Sequence, residues 1–276
     1  MFDRRPVRFD HSTLVVTGAG KGLGEAVARR VHALGGNVAL LDVDLAAVQK
    51  IAEELGERAL AVECDVTDID QLRAAAEQTE KHFGRIDLVL ANAGIAPPTR
   101  AVADIDPDAF ERTVEIDLLG QWRTARAFLP AIERSGGHIL FVASIYAFFN
   151  GVLNASYAMS KAGVEQLGRA LRAELAPRGA SAGVAYLGFV DTDLVTTVYA
   201  QDHVTTLRKA LPAFLTDPIP VGQAADALVA GLARRKARVT APGWVRPALV
   251  TRGLSDPLAD RVMMWRARGA VEQARE

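Results

Sequence analysis

Seven short apolar runs recur along the chain, at residues 14–16, 38–41, 59–62, 86–90, 139–142, 182–185 and 238–240, with longer stretches rich in Ala, Leu, Glu and Arg between them. None of the runs alternates strictly between apolar and polar side chains, which is the pattern of a strand covered on both faces. The intervening stretches, 24–34 and 45–55 among them, have helical period and enough residues to carry a helix back across a sheet. Connections of that length join parallel strands, and right-handed crossovers then stack helices on both faces. The expected fold is α/β, a doubly wound (Rossmann) parallel sheet of about seven strands, in one domain spanning 1–243 whose sheet begins near residue 8. Residues 244–276, with Pro247, Pro257, the Met263-Met264 pair, Trp265 and several Arg, form a C-terminal extension. It is read as a cap or an oligomer contact, with an arm over a substrate pocket as the alternative.

Composition narrows the function classes. The chain has 276 residues, 50% of them hydrophobic, and a formal net charge of -1, so it can bury a large core without disulfides or a structural metal. A near-zero net charge offers no field to gather a phosphate backbone, which argues against nucleic acid as a partner. The one strongly basic run, residues 234–238, follows a helical stretch, where cations favour the C-terminal end of the helix dipole. Cys64 is the only cysteine, so no internal disulfide or zinc–thiolate cluster can form, no metal site is expected, and a reducing, cytoplasmic location fits. A twin arginine stands at positions 4 and 5, but residues 7–12 hold only two apolar side chains, too few for an export signal. The richest apolar stretch, 141–153, is broken by Ser144, Asn150 and Gly151, so no membrane span is expected.

Directly after the first run stands Thr17-Gly18-Ala19-Gly20-Lys21-Gly22-Leu23-Gly24, opening a helix expected near Glu25. Glycines there let the backbone turn tightly and approach a pyrophosphate, which then faces free N–H groups at a helix N-terminus. The spacing reads G-x-x-x-G-x-G from Gly18, Gly22 and Gly24. Asp42, 18 residues beyond Gly24 at the end of the second run, suits a carboxylate accepting from the adenosine ribose hydroxyls. An Asp in that place repels a 2′-phosphate, so NAD is favoured over NADP, although Lys21 could offset part of the repulsion. Asp65 could accept from the adenine amino group or cap the helix expected near Ile69. Asn92-Ala93-Gly94 follows the fourth run, at the strand edge where open sheets bind ligands.

At the chemical end, Ser144 closes the fifth run, and Tyr157 and Lys161 follow four residues apart. On a helix that spacing puts both side chains on one face, and a neighbouring ammonium is expected to pull the phenol below its usual ~10. Such a phenol is a candidate general acid/base.

Taken together, Thr17-Gly18-x-x-x-Gly22-x-Gly24, Asn92-Ala93-Gly94, Ser144 and Tyr157-x-x-x-Lys161 resemble the short-chain dehydrogenase/reductase family over roughly residues 10–243. The resemblance implies a nicotinamide-dependent oxidoreductase in which Tyr157 exchanges a proton with the carbinol or carbonyl oxygen and Ser144 hydrogen-bonds it. Lys161 would tune Tyr157 and bind the nicotinamide ribose. Leu23 and Val66 join the cofactor-binding set, with Gly188, Val190 and Thr192 flanking the nicotinamide amide. Homo-oligomers, tetramer or dimer, are implied through the helices around 110–128 and 157–175, where Ala158, Ala162 and Gly163 would permit close approach. Two departures stand out. Asp117 occupies the place of the family's Asn, which helps hold a water in the proton relay; an ionised Asp accepts hydrogen bonds but cannot donate them. The family's Pro-Gly is Leu187-Gly188 here, a change expected to loosen the turn.

The segment between Asp193 and Gly222, which the resemblance makes a substrate lid, is rich in apolar residues, as is the neighbourhood of Ser144. A lipophilic secondary alcohol or ketone is the expected substrate. Two alternatives stand beside this reading. A non-catalytic dinucleotide-binding sensor or scaffold could have lost turnover through Asp117, but Ser144, Tyr157 and Lys161 argue against decay. A nucleotide-sugar epimerase would need a longer chain and a different glycine spacing.

Overall fold

The computed structural model describes residues 6–275; the twin arginine at 4 and 5 lies outside the described residues. Seven strands form: β1 (Thr13–Thr17), β2 (Asn37–Asp42), β3 (Ala59–Glu63), β4 (Leu88–Ala91), β5 (His138–Ser144), β6 (Ser181–Leu187) and β7 (Arg238–Ala241). They make one parallel sheet in the order β3-β2-β1-β4-β5-β6-β7. The expected fold class is thus the observed one, and the register explains why no run alternates. Val15, Ala39 and Val89 point into one apolar layer while their neighbours Leu14, Val38 and Leu88 point into the other. Both side-chain parities are buried, so both are apolar.

Helices cover the two faces. On one lie α1 (Gly22–Ala33), α2 (Leu45–Leu55) and, further along the chain, α10 (Val221–Ala233). On the other lie α3 (Ile69–Phe83), α4 (Pro107–Val114), α5 (Gln121–Ser135) and α6 (Ala155–Leu175). Aspartates set several starts: Asp44 caps α2, Asp68 caps α3 and Asp106 caps α4, each accepting from a first-turn N–H. The start of α1 at Gly22, earlier than Glu25, has no such side chain. The fourth strand begins two residues after the start of its apolar run, just past Asp87. Its Oδ2 accepts from Thr13 N at 3.0 Å, so a buried carboxylate and not the ladder satisfies that donor.

A π-helical segment, Glu115–Gly120, joins α4 to α5. Such segments carry an extra residue per turn, which re-aims the side chains around them. After β6 come the short helices α7 (Asp193–Tyr199), α8 (Asp202–Lys209) and α9 (Ala213–Thr216). The chain ends in α11 (Val245–Arg266) and α12 (Arg268–Gln273). Val245 and Leu249 are buried in the core beside β6, and Arg252 forms two 2.7 Å hydrogen bonds to buried Glu165 on α6. Further on, Ala267 and Ala270 pack with Leu207 of α8 and Leu153. The extension therefore straps the segment after β6 to the body. In the basic run, Arg235 donates to the Gly136 carbonyl at 2.7 Å. Among the described residues no helix is long and apolar enough to cross a membrane.

Candidate active site

Strand order reverses between β1 and β4, and in open parallel sheets ligands bind in the crevice outside the strand C-termini at that point. Here the crevice is a cleft of about 500 Å³. Of the cofactor-binding residues inferred from the sequence, Gly18, Gly22, Leu23, Asp42, Asp65, Val66, Asn92, Ala93, Gly94, Gly188, Val190 and Thr192 line it, and Ser144, Asp117, Tyr157 and Lys161 stand at its chemical end. Thr17 and Gly24 do not line it; they hold its walls together. Thr17 is buried, its Oγ1 accepting from the N–H groups of Asn92 and Ala93 at 3.1 and 3.2 Å. Gly24 lies so close to the loop that a Cβ there would sit 2.2 Å from the Gly18 carbonyl oxygen. The Asn92 amide is committed to the same frame, donating to the carbonyls of Thr17 and Gly18 at 3.0 and 3.1 Å.

The glycine loop fits a pyrophosphate. Gly18 and Gly22 adopt the left-handed φ values +65° and +60°, and α1 starts without a side-chain cap, so first-turn N–H groups remain for an anion. Asp42 is fixed at the loop's edge: Oδ2 accepts from Gly20 N at 2.8 Å and Oδ1 from Asp44 N at 3.1 Å. Lys21 turns away to Asp193 at the start of α7, with an exposed 3.3 Å contact. Asp65 is neither a helix cap nor free, because its Oδ1 accepts from both the N–H and the hydroxyl of Thr67 at 2.8 Å. Val43, next to Asp42, and Arg112 and Ile116, on the segment leading to Asp117, also line the cleft; no binding role was expected for Arg112 or Ile116. Cys64 lines it too, but burial pushes its thiol up to about 12, so it stays protonated.

At the other end, α6 presents Tyr157 and Lys161 on one face, with the Lys161 ammonium 5.2 Å from the centre of the Tyr157 ring. Lys161 is buried, donates to the Val142 carbonyl at 3.3 Å and stands 3.4 Å from Asp117 Oδ2. The π-helical segment turns Asp117 fully inward, and its Oδ1 accepts from Ile95 N at 2.8 Å. Among the described residues Oδ2 has the Lys161 ion pair but no shorter hydrogen bond. Burial pushes the Asp117 carboxyl above its usual range, opposed by the Lys161 charge and the Ile95 N–H.

For Tyr157 the structure reverses the expected direction. Burial and the Asp117 charge push the phenol above its usual 10, and only the Ser144 hydroxyl pulls it back. Lys161 sits over the ring face and is shared with Asp117 and a carbonyl, so it does not compensate. The turn after β6 is not loose either. Gly188 N donates to the Ala241 carbonyl at 2.8 Å, and Val190 pairs with Ile219, whose N–H reaches the Phe189 carbonyl. Backbone pairing does there what a proline would do.

A dinucleotide cradle at one end of a cleft and a Ser–Tyr–Lys group at the other define a class of proteins that transfer hydride to or from a bound coenzyme. The sequence profile described as short chain dehydrogenase matches residues 12–203, and the chain belongs to that family. It is 34% identical over 219 residues to cis-4-hydroxycyclohexanecarboxylate dehydrogenase of Sinomonas cyclohexanicum, a match covering 78% of this chain and 88% of that enzyme. It is 32% identical over 228 residues to cis-1,2-dihydrobenzene-1,2-diol dehydrogenase of Pseudomonas putida, covering 80% and 82%. Among solved structures, a 3-ketoacyl-(acyl-carrier-protein) reductase from Brucella melitensis complexed with NADH superposes with TM-score 0.72 at 29% identity, over 83% of this chain and 96% of that one.

Proposed function

We propose that the protein is an NAD-dependent oxidoreductase acting on a compact, lipophilic cyclic secondary alcohol or the matching ketone. The observation that carries this is the convergence of Ser144, Tyr157 and Lys161 at one end of a cleft whose other end holds the glycine loop and Asp42. Two relatives whose names describe dehydrogenation of ring alcohols support the substrate class.

The glycine loop and the first turn of α1 would hold the pyrophosphate, Asp42 the adenosine ribose, and Lys161 with Tyr157 the nicotinamide ribose. When bound, the coenzyme supplies the hydride acceptor or donor. The protein's own part is to hold the substrate oxygen and move its proton. The Ser144 hydroxyl and the Tyr157 phenol meet that oxygen as donors already in place when alkoxide-like charge develops on it. Tyr157 takes the proton in oxidation and returns it in reduction, with Lys161 keeping positive charge beside the ring. The walls around Ser144, including Ile145, Phe189 and Leu194, exclude water and favour an apolar ring.

Turnover of cyclic secondary alcohols with NAD and with NADP, followed at the reduced-nicotinamide absorbance, tests the reading. NAD should give the higher kcat/KM, and Asp42→Ala with Val43→Arg should reduce or reverse the preference, since a carboxylate beside the 2′-position accepts from a hydroxyl and repels a phosphate. Coenzyme binding without turnover of any alcohol or ketone would favour the sensor reading instead.

A further inference from the structure

Beyond Ser144 and Tyr157 the cleft continues into a side cavity of about 60 Å³. Its walls are mostly apolar, with Pro97, Ile145, Phe189 and Val198 among them, and none of its side chains carries a charge. Besides Ser144 and Tyr157 at its mouth, two polar groups interrupt that surface, Tyr146 and Asn154. Tyr146 comes two residues after Ser144, on the short 3-10 turn Ile145–Ala147, and its N–H donates to Ser144 Oγ at 3.3 Å. Its ring meets Tyr157 and Phe189 edge-on, with centroids 5.9 and 6.2 Å apart. The ring is thus held in the cavity wall beside the acid/base phenol.

Asn154 is buried at the start of α6, and its Nδ2 donates to Tyr146 Oη over a long 3.4 Å. Among the described residues no acceptor takes the Tyr146 hydroxyl proton and no donor reaches Asn154 Oδ1. Burial also pushes the Tyr146 phenol up to about 12, so at neutral pH it remains a donor. Tyr146 thus keeps an unspent donor and Asn154 an unspent acceptor, both on residues that line the cavity. No step of the hydride and proton transfer uses either group.

We propose that Tyr146 Oη and the Asn154 amide form a second polar subsite for an oxygen on the carbon next to the reacting one, so that the preferred substrate is a compact vicinal diol or α-hydroxyketone. This rests on the oxidoreductase reading above. The adjacency follows from the dimensions: the two tyrosine rings touch, and about 60 Å³ leaves room for only a few heavy atoms beyond the reacting centre. A hydroxyl is both donor and acceptor, which is the complement of the two unused groups. Only the carbinol beside Ser144 and Tyr157 loses its hydride and proton; the second oxygen is held unchanged. A mono-alcohol would leave the Tyr146 hydroxyl proton and Asn154 Oδ1 without a substrate partner, and sites built to bond a hydroxyl reject the analogue that lacks it.

The experiment compares kcat/KM for cis-1,2-cyclohexanediol and cyclohexanol with NAD, in the wild type and in Tyr146→Phe and Asn154→Ala. The wild type should favour the diol by about tenfold or more, the worth of a hydrogen bond into a buried site, and each variant should move the ratio toward one. A wild-type ratio near one, or a ratio that neither variant changes, overturns the subsite while cyclohexanol turnover leaves the oxidoreductase reading standing. Should neither alcohol be oxidised and neither matching ketone reduced, the oxidoreductase reading falls and takes the subsite with it.

Discussion

Tyr157 and Asp117 are the two residues on which the chemistry turns, and they oppose each other. On the proposed reading the phenol is the side chain that exchanges a proton with the substrate oxygen, and general acid/base groups contribute typically 10²–10⁴-fold. Tyr157→Phe should therefore lower kcat by about that factor or more with little change in coenzyme affinity, as steady-state rates and NADH fluorescence titration would show. Asp117 raises the Tyr157 phenol through its charge. Oxidation needs the deprotonated phenol, so removing that charge moves the acidic limb of the oxidation pH–rate profile to lower pH. For Asp117→Asn we expect kcat within about tenfold of wild type, about 1.4 kcal/mol in barrier, with the limb shifted downward. A superimposable profile, or a shift to higher pH, would contradict the assigned coupling. The same substitution has a signature in stability. The carboxyl is raised by burial above its ordinary 3.8, so the folded protein binds its proton more tightly than the unfolded chain. That contribution is full below pH 3.8 and is lost as pH rises through the folded-state value. The Tm difference between Asp117→Asn and wild type should hence move in the variant's favour on going from pH 4 upward, as a set of melting curves would show.

The elements around the chemical end were only partly legible in the residues. Tyr157 and Lys161 four apart are visible because a helix of Ala155–Leu175 keeps i and i+4 on one face. The π-helical segment that turns Asp117 inward was not, because Glu115–Gly120 reads as ordinary helix until Val66 has to be accommodated: a Cβ on Gly120 would lie 2.7 Å from that side chain. Nor was the role of α12. It packs against α8 through Ala270 and Leu207, Thr206 donates to Gln273 at 2.7 Å, and Arg266 donates to the Ala210 carbonyl at 2.6 Å. These contacts hold α8 to the body, next to α7, whose Leu194, Val195 and Val198 line the side cavity. Ala270 is fully buried, so Ala270→Asp should loosen α12 from α8 and raise KM for the alcohol several-fold, leaving NADH affinity unaltered. Equal rises in KM and in the coenzyme dissociation constant would show instead that the whole body had been damaged.

At the scale of the whole molecule, one of the small residues expected to open α6 to a second copy is taken up within the chain. A Cβ on Gly163 would meet Leu118 of the same chain at 2.8 Å, so that close approach is already used internally. Among the large apolar side chains left exposed, the densest group is a row along α11, with Val250, Leu254, Leu258 and Trp265 each 67% exposed or more. Val250, Leu254, Leu258 and Val262 follow one another four residues apart, on the side of α11 away from buried Val245 and Leu249. We expect a second copy of the chain to cover it. Sedimentation should give a species larger than the monomer at micromolar concentration, and Leu254→Asp with Leu258→Asp should shift it toward the monomer; a wild type sedimenting only as a monomer would refute this. The sequence by itself determined the sheet, the glycine loop, the shared face of Tyr157 and Lys161 on α6 and the place of Asp42 at the end of β2, because each follows from spacing along one element or from one strand-to-helix turn. The direction of the Tyr157 shift, the support given by Thr17 and Gly24, the pairing that steadies Gly188 and the Tyr146–Asn154 cavity were decided only by tertiary structure. Each depends on groups distant in the chain brought within a few ångströms, where burial and an opposing charge outweigh the neighbour that sequence spacing supplies.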